Sequence, residues 1–258
     1  MAAGHTRRAL RLFNEESRRT VLLPIDQPVT LGPLAGLTPL ARHLPDLLAG
    51  GPDGVIAHRG VLRTIQPMES RNIGLVMHLS AGTRLGGGGH VKTITAEVED
   101  AIRAGADAVS VQVTFGVPEE NAMLRDLTRV VSACERWGLP LLTMVYAHGG
   151  DPASLPARVA HAARVAAELG SDLVKVPYTG SADSFAAVVD GCFVPVVVAG
   201  GERTGDWEHL LLMVKTALSV GAAGACVGRN VFQHDEPIRA MQALRQLVHA
   251  YPREEQAR

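Results

Sequence analysis

Lysine is almost missing from this chain. Only Lys92, Lys175 and Lys215 occur, among 25 basic residues. Arginine fills the basic positions nearly everywhere, so a lysine kept inside an apolar run needs its own reason. Arginine does not deprotonate in proteins, and a role that requires a neutral amine is closed to it. Cysteine is equally scarce. Cys134, Cys192 and Cys226 are far apart, apolar-flanked and form no CxxC pair. That set argues against a disulfide framework and reads as buried thiols in a reducing cytoplasm. The charged first 20 residues contain no apolar segment of the signal-peptide kind. No uninterrupted apolar run approaches the ~20 residues of a membrane span. The formal net charge is −1 and basic residues form no block, so neither nucleic acid nor a membrane surface is an expected partner. A cytoplasmic protein acting on small molecules is the expectation.

What is present is a set of short apolar runs: 21–25, 54–57, 73–79, 107–113, 140–146, 172–176, 194–199 and 223–228. They do not alternate apolar with polar, as befits strands of a parallel sheet buried on both faces. Helical patterns lie between them. One has Thr95 as its expected N-cap, with Glu97 and Glu99 in the first turn. Another begins at Asp206, carries Trp207, Leu210, Leu211, Val214 and Leu218 as a stripe, and ends at Gly221. The stretches AIRAGADAVSV (101–111), VAAELGSDLVKV (165–176) and ALSVGAAGACV (217–227) repeat one step: helix end, glycine, small or acidic residue, buried strand. Eight such strands in 258 residues predict a single-domain (β/α)8 TIM barrel, with residues 1–18 as an N-terminal extension. A doubly wound open sheet is the alternative, but the Gly-x-Gly-x-x-Gly turn after the first strand is missing. The GGGG stretch (86–89) reads as a loop near the site.

Catalytic groups of such barrels sit at the C-terminal strand ends. In order, those ends carry Asp26 and Gln27; His58 and Arg59; His78; Gln112 and Thr114; Tyr146; Lys175 and Tyr178; Gly200 and Gly201; Gly228, Arg229 and Asn230. An amine buried in an apolar mouth loses solvation in its charged form, so the pKa of Lys175 is expected to fall. A neutral lysine attacks ketones to form a Schiff base. The bland alternative is a snorkelling or ion-paired lysine. Gly200–Gly201 and Gly228–Arg229 occupy the strand-seven and strand-eight positions where these barrels hold phosphate through backbone N–H groups. Asp26 and Tyr146 are candidate proton-transfer groups; otherwise they serve as a turn cap and a rim aromatic. His58, His78 and His90 show no ligand spacing of the HExxH kind, so no metal is expected.

These residues resemble a known family. VLLPIDQPVTLGPLAGL, LVMHLSAGT, WGLPLLTMVYAHG, LVKVPYTGSADSF, VPVVVAGGER and AGACVGRNVFQHDEP are similar to the class I (Schiff-base) aldolases of the deoxyribose-phosphate aldolase superfamily. The nearest branches are the archaeal-type fructose-bisphosphate aldolases and the 2-amino-3,7-dideoxy-D-threo-hept-6-ulosonate synthases. The resemblance implies a barrel, often assembled as a homo-oligomer up to a decamer, working without metal or cofactor. It implies Lys175 as the Schiff-base lysine, Tyr146 as the general acid/base and Asp26 as the first-strand aspartate. Gly200, Gly201, Gly228 and Arg229 would hold phosphate, with Gln27, His78 and Tyr178 as further substrate contacts. The family reads Asp-His-Gly after the first strand; here Asp26–Gln27–Pro28 stands there, and Gln27 hydrogen-bonds but carries no proton. The segment between Arg59 and Asn72, which helps shape the mouth, is short.

The expected reaction joins a dihydroxyacetone-phosphate-like donor to an aldehyde, with L-aspartate semialdehyde as the leading acceptor. A second anion, carboxylate or phosphate, would fall to Arg59, Arg63, Arg84 or Arg203. Fructose-bisphosphate cleavage, thiolase-type acyl transfer on a phosphorylated sugar, and a non-catalytic sugar-phosphate-binding barrel are the competing readings.

Overall fold

A computed structural model describes residues 3–65, 70, 72–203 and 205–252. The short stretch between Arg59 and Asn72 therefore lies partly outside the described residues. Eight parallel strands close into a barrel: β1 Thr20–Pro24, β2 Gly54–Ala57, β3 Gly74–His78, β4 Ala108–Phe115, β5 Leu141–Ala147, β6 Leu173–Pro177, β7 Val196–Ala199 and β8 Gly224–Cys226. Each strand pairs with its sequence neighbours, and β1 closes on β8 with Thr20 opposite Gly224. This is the (β/α)8 barrel expected from the eight apolar runs.

The two faces of each strand divide by the period of two. Val21, Leu23, Val55, Ala57 and Met77 point outward into the core shared with the helices. Leu22, Ile56, Val76, Ala108, Leu142, Leu173, Val197 and Cys226 point into the barrel. In β6 the outward residues are Val174 and Val176. Lys175 thus shares the inward face with Leu173. The helix Glu120–Trp137 shows how the outer layer is built: Met123, Leu127, Val130, Val131 and Cys134 form its buried stripe. Gly138, at φ +63°, terminates it.

The repeated acidic residue has a structural use. Asp53, Asp107 and Asp172 precede β2, β4 and β6. Each carboxylate accepts a backbone N–H at the start of the strand before: Val21 at 2.6 Å, Leu75 at 2.9 Å and Leu141 at 2.8 Å. A strand-start N–H would otherwise be buried without a partner. The staple fixes the register of β1–β2, β3–β4 and β5–β6, and with it the level of every residue at the opposite end.

Among the remaining elements, the helix Trp207–Ser219 starts at Asp206, whose side chain accepts from His209 N at 2.8 Å. The helix Val98–Arg103 differs from expectation. Its N-cap is Glu97, in a capping box with Asp100. Thr95 instead donates its hydroxyl to Leu79 O at 3.1 Å, tying the chain to the end of β3.

The N-terminal helix Ala3–Leu10 lies against the base of the barrel, with His5 Nε2 2.9 Å from Asp172. Leu12, just after it, is 3% exposed and packs with the inward-facing barrel residues. It fills the space left by Gly54 and Gly74, where added Cβ atoms would stand 3.3 and 2.5 Å from its Cδ2. Leu12→Ala is expected to lower the unfolding free energy by about 2–4 kcal/mol, measured by chemical denaturation.

Candidate active site

A cavity of about 430 Å³ opens at the C-terminal end of the barrel. Asp26, Gln27, His78, Tyr146, Lys175, Gly200, Gly201, Gly228 and Arg229 all line it. Tyr178 does not. Three residues beyond Lys175, it has left the inward face, and its ring packs on Phe185 with centroids 5.5 Å apart.

Lys175 is the deepest charged group, 5% exposed. Among the described residues it makes no ion pair. Its side-chain neighbours are soft: Nζ lies 3.8 Å from Met144 Sδ on β5 and reaches Cys226 on β8. The expected fall in its pKa is overturned. Burial does push the amine down, but the charges of Cys226, Tyr146 and Asp26 and the Cys226 hydrogen bond push it up, and the net direction is upward. Burial raises the Cys226 thiol to about 11, so that group is neutral at pH 7. Asp26 is among the groups that push Lys175 upward.

Asp26 stands where β1 ends. Its Oδ1 is buried with no hydrogen-bond partner, and its Oδ2 is 3.9 Å from His78 Nε2. His78 is fully enclosed, and burial drives its pKa down to about 3 despite the pull of Asp26. It is therefore a neutral imidazole at working pH, and its contact with Asp26 is not an ion pair. Ser110 Oγ, 2.8 Å from His78 Nδ1, fixes the ring. His58 meets that ring edge-on at 5.1 Å and is also lowered by burial. A buried carboxylate oxygen without a donor is costly unless a ligand or a proton completes it. That open oxygen of Asp26 lies in the same cavity as Lys175.

The opposite part of the mouth is lined by closely packed glycines and Arg229. Gly200 lies so close to β8 that an added Cβ would stand 2.7 Å from Val227 Cγ1. At Gly228 it would stand 2.5 Å from Pro24 O and 2.8 Å from Gln27 Nε2. Gly201 adopts φ +71°, which favours glycine. Arg229 leans into the cavity and pairs with exposed Glu202 at 3.3 Å. Asn230, named in the sequence only as part of the strand-eight end, braces the two turns. Its Nδ2 donates to Gly200 O at 2.9 Å and Glu202 O at 3.1 Å.

Of the four arginines considered for a second anion, Arg84 lines the cavity. Arg59 instead pairs with Asp100 at 3.1 Å. Three further lining residues, His90, Lys92 and His148, come from loops. No strand pattern marks them. Among the described residues no group of three or more His, Cys, Asp or Glu is arranged to hold a metal ion, and no helix is long and apolar enough to cross a membrane.

Comparison with known proteins agrees with this geometry. A family profile described as DeoC/LacD family aldolase matches residues 20–234. The chain is 40% identical over 245 residues to a 2-amino-4,5-dihydroxy-6-oxo-7-(phosphonooxy)heptanoate synthase of Streptomyces griseus, covering 94% of this chain and 89% of the relative. It is 38% identical over 248 residues to a 2-amino-3,7-dideoxy-D-threo-hept-6-ulosonate synthase of Halobacterium salinarum, covering 96% and 92%. Among solved structures, an archaeal fructose-1,6-bisphosphate aldolase with its catalytic lysine bound to a carbinolamine intermediate matches at TM-score 0.85. It is 32% identical and covers 95% of this chain and 99% of that one. The chain belongs to the DeoC/LacD aldolase family.

If Asp26 supplies the charge that holds Lys175 protonated, Asp26→Asn lowers the titration midpoint of Lys175. NMR of reductively ¹³C-methylated protein reads that midpoint directly; only three lysines contribute signals.

Proposed function

We propose that this protein is a class I aldolase that forms a Schiff base at Lys175 with dihydroxyacetone phosphate and condenses it with L-aspartate semialdehyde. The observation that carries this reading is a buried lysine without an ion-pair partner, lining one cavity with Asp26, Tyr146 and a glycine-built anion cradle.

The acceptor and donor follow from the product named for the Streptomyces relative. Its seven carbons carry an amino acid at one end and a phosphorylated ketone at the other. An aldol disconnection cuts between the two hydroxyl-bearing carbons, C4 and C5. That leaves aspartate semialdehyde and dihydroxyacetone phosphate. The product named for the Halobacterium relative is deoxygenated at C7. The cradle of Gly200, Gly201, Gly228 and Arg229 supports the phosphorylated donor here.

The chemistry runs as follows. Lys175 Nζ, after giving up its proton, adds to the donor carbonyl to form a carbinolamine. Asp26, which takes that proton from Lys175, gives it to the carbinolamine hydroxyl, which leaves as water and yields an iminium. The iminium withdraws electrons from the adjacent hydroxymethylene carbon, which gives a proton to Tyr146 and becomes an enamine. That carbon attacks the aldehyde, and the new alkoxide takes a proton from Tyr146. Water then hydrolyses the iminium and restores Lys175. General acid–base help of this kind contributes about 10²–10⁴-fold in rate. The tight enclosure of the amine supports the covalent route over simple sugar-phosphate binding, since a binding site gains nothing from burying a lysine beneath its ligand.

Lys175→Arg is expected to abolish turnover with the fold kept, because a guanidinium forms no imine. Borohydride with dihydroxyacetone phosphate should leave a reduced adduct on Lys175, located by peptide mass mapping. No adduct with any phosphorylated ketose would remove the mechanism.

The reading extends to a cytoplasmic homo-oligomer, up to a decamer. Light scattering of the purified protein should give a mass several times that of the 27.3 kDa chain; a monomer peak at all concentrations counts against it.

A further inference from the structure

Lys92 is the second buried lysine in a chain that has three, and the mechanism above leaves it unused. It is 8% exposed and lines the same cavity as Lys175. Among the described residues it has no salt bridge. Its ammonium donates to Thr30 Oγ1 at 2.8 Å and reaches Gly82 O at 3.4 Å. Both partners are neutral, and an ammonium has three donors. One N–H and a full positive charge are left facing the cavity, with Asp26 acting on them only at a distance.

The position is constructed. Thr30 passes its own hydroxyl on to Gly82 O at 2.8 Å, which orients its lone pair toward Lys92. Gly82 has to be glycine: a Cβ there would collide with Val91 O and stand 3.2 Å from Lys92 Cδ. Lys92 N is held by Met123 Sδ at 3.5 Å. Burying an ammonium costs several kcal/mol unless a counter-charge completes it, and the chain supplies none in contact.

The barrel says where that counter-charge sits. Lys92 belongs to the connection after β3, and Gly200–Gly201 to the connection after β7. In a ring of eight strands these are diametrically opposed. A phosphorylated donor on the β7–β8 side and joined to Lys175 on β6 points its reacting carbon toward the far wall. The acceptor must lie between that carbon and Lys92.

We infer that Lys92 binds the carboxylate of the acceptor aldehyde and so sets acceptor choice, with Arg84 at the mouth as its exposed partner. This rests on the aldolase reading above. A carboxylate matches the single buried charge and its one spare N–H. A phosphate dianion would need more donors than the site offers.

The test compares L-aspartate semialdehyde with its C1 carboxamide, with dihydroxyacetone phosphate as donor. The natural protein is expected to prefer the carboxylate in kcat/KM by about 30- to 100-fold, as for loss of a charged hydrogen bond. In Lys92→Gln the preference should collapse to within about threefold, chiefly through KM for the acceptor; Lys92→Arg should restore part of it. A merely structural lysine would impair both acceptors alike, and a retained preference in Lys92→Gln would overturn the assignment. So would a natural protein that does not discriminate, an outcome that needs no folded variant. A natural protein that uses glyceraldehyde 3-phosphate better than the semialdehyde would also overturn it. Borohydride trapping of the donor separates the failures. No adduct in the natural protein sinks the aldolase reading, whereas an adduct without acceptor discrimination sinks the Lys92 assignment alone.

Discussion

The site depends on one electrostatic constraint: a positive charge at the floor of a closed apolar barrel has to be held by a negative one. Lys175 is supplied by β6 and Asp26 by the end of β1. No ion pair joins them, yet the carboxylate is one of the groups that raise the lysine's pKa against the cost of burial. Lys92 is a further buried cation of the same cavity. His78 and Cys226 are driven to their uncharged forms by the same enclosure. A charge that enters with a substrate therefore meets few competing ions and is felt strongly.

That balance rests on precise levels around the barrel, and the levels are set far from the chemistry. The aspartate staples before β2, β4 and β6 lock pairs of strands at their starts. A slip of one residue would turn Lys175 outward and Val174 or Val176 inward. The glycines at the other end do complementary work, bringing the backbone of β7, β8 and β1 close enough that no side chain fits between them.

Much of this was legible in the sequence. Eight apolar runs in order imply eight strands, and the rarity of lysine singles out Lys175. What was not legible involved partners distant in the chain. The direction of the Lys175 pKa depends on residues from β1, β5 and β8, none of which its local context reveals. Tyr178 sits in the same motif as Lys175, but the turn after Pro177 carries it out of the cavity. Lys92 lies in a loop with no periodicity, and Arg59 is taken by Asp100. The helix Val98–Arg103 is capped by Glu97 in a box with Asp100, and Thr95 two residues before Glu97 donates its hydroxyl to Leu79 O.

The closing pair of strands has a bearing on how the molecule comes into being. β1 is among the first elements made and finds its second neighbour only at Gly224–Cys226, about 200 residues later. Leu12 likewise shares its cluster with Cys226. During synthesis the nascent sheet therefore carries two unpaired edges and an unfilled apolar interior, both of which invite pairing with other chains. Lys175 gains its full surroundings only once Cys226 of β8 is in place.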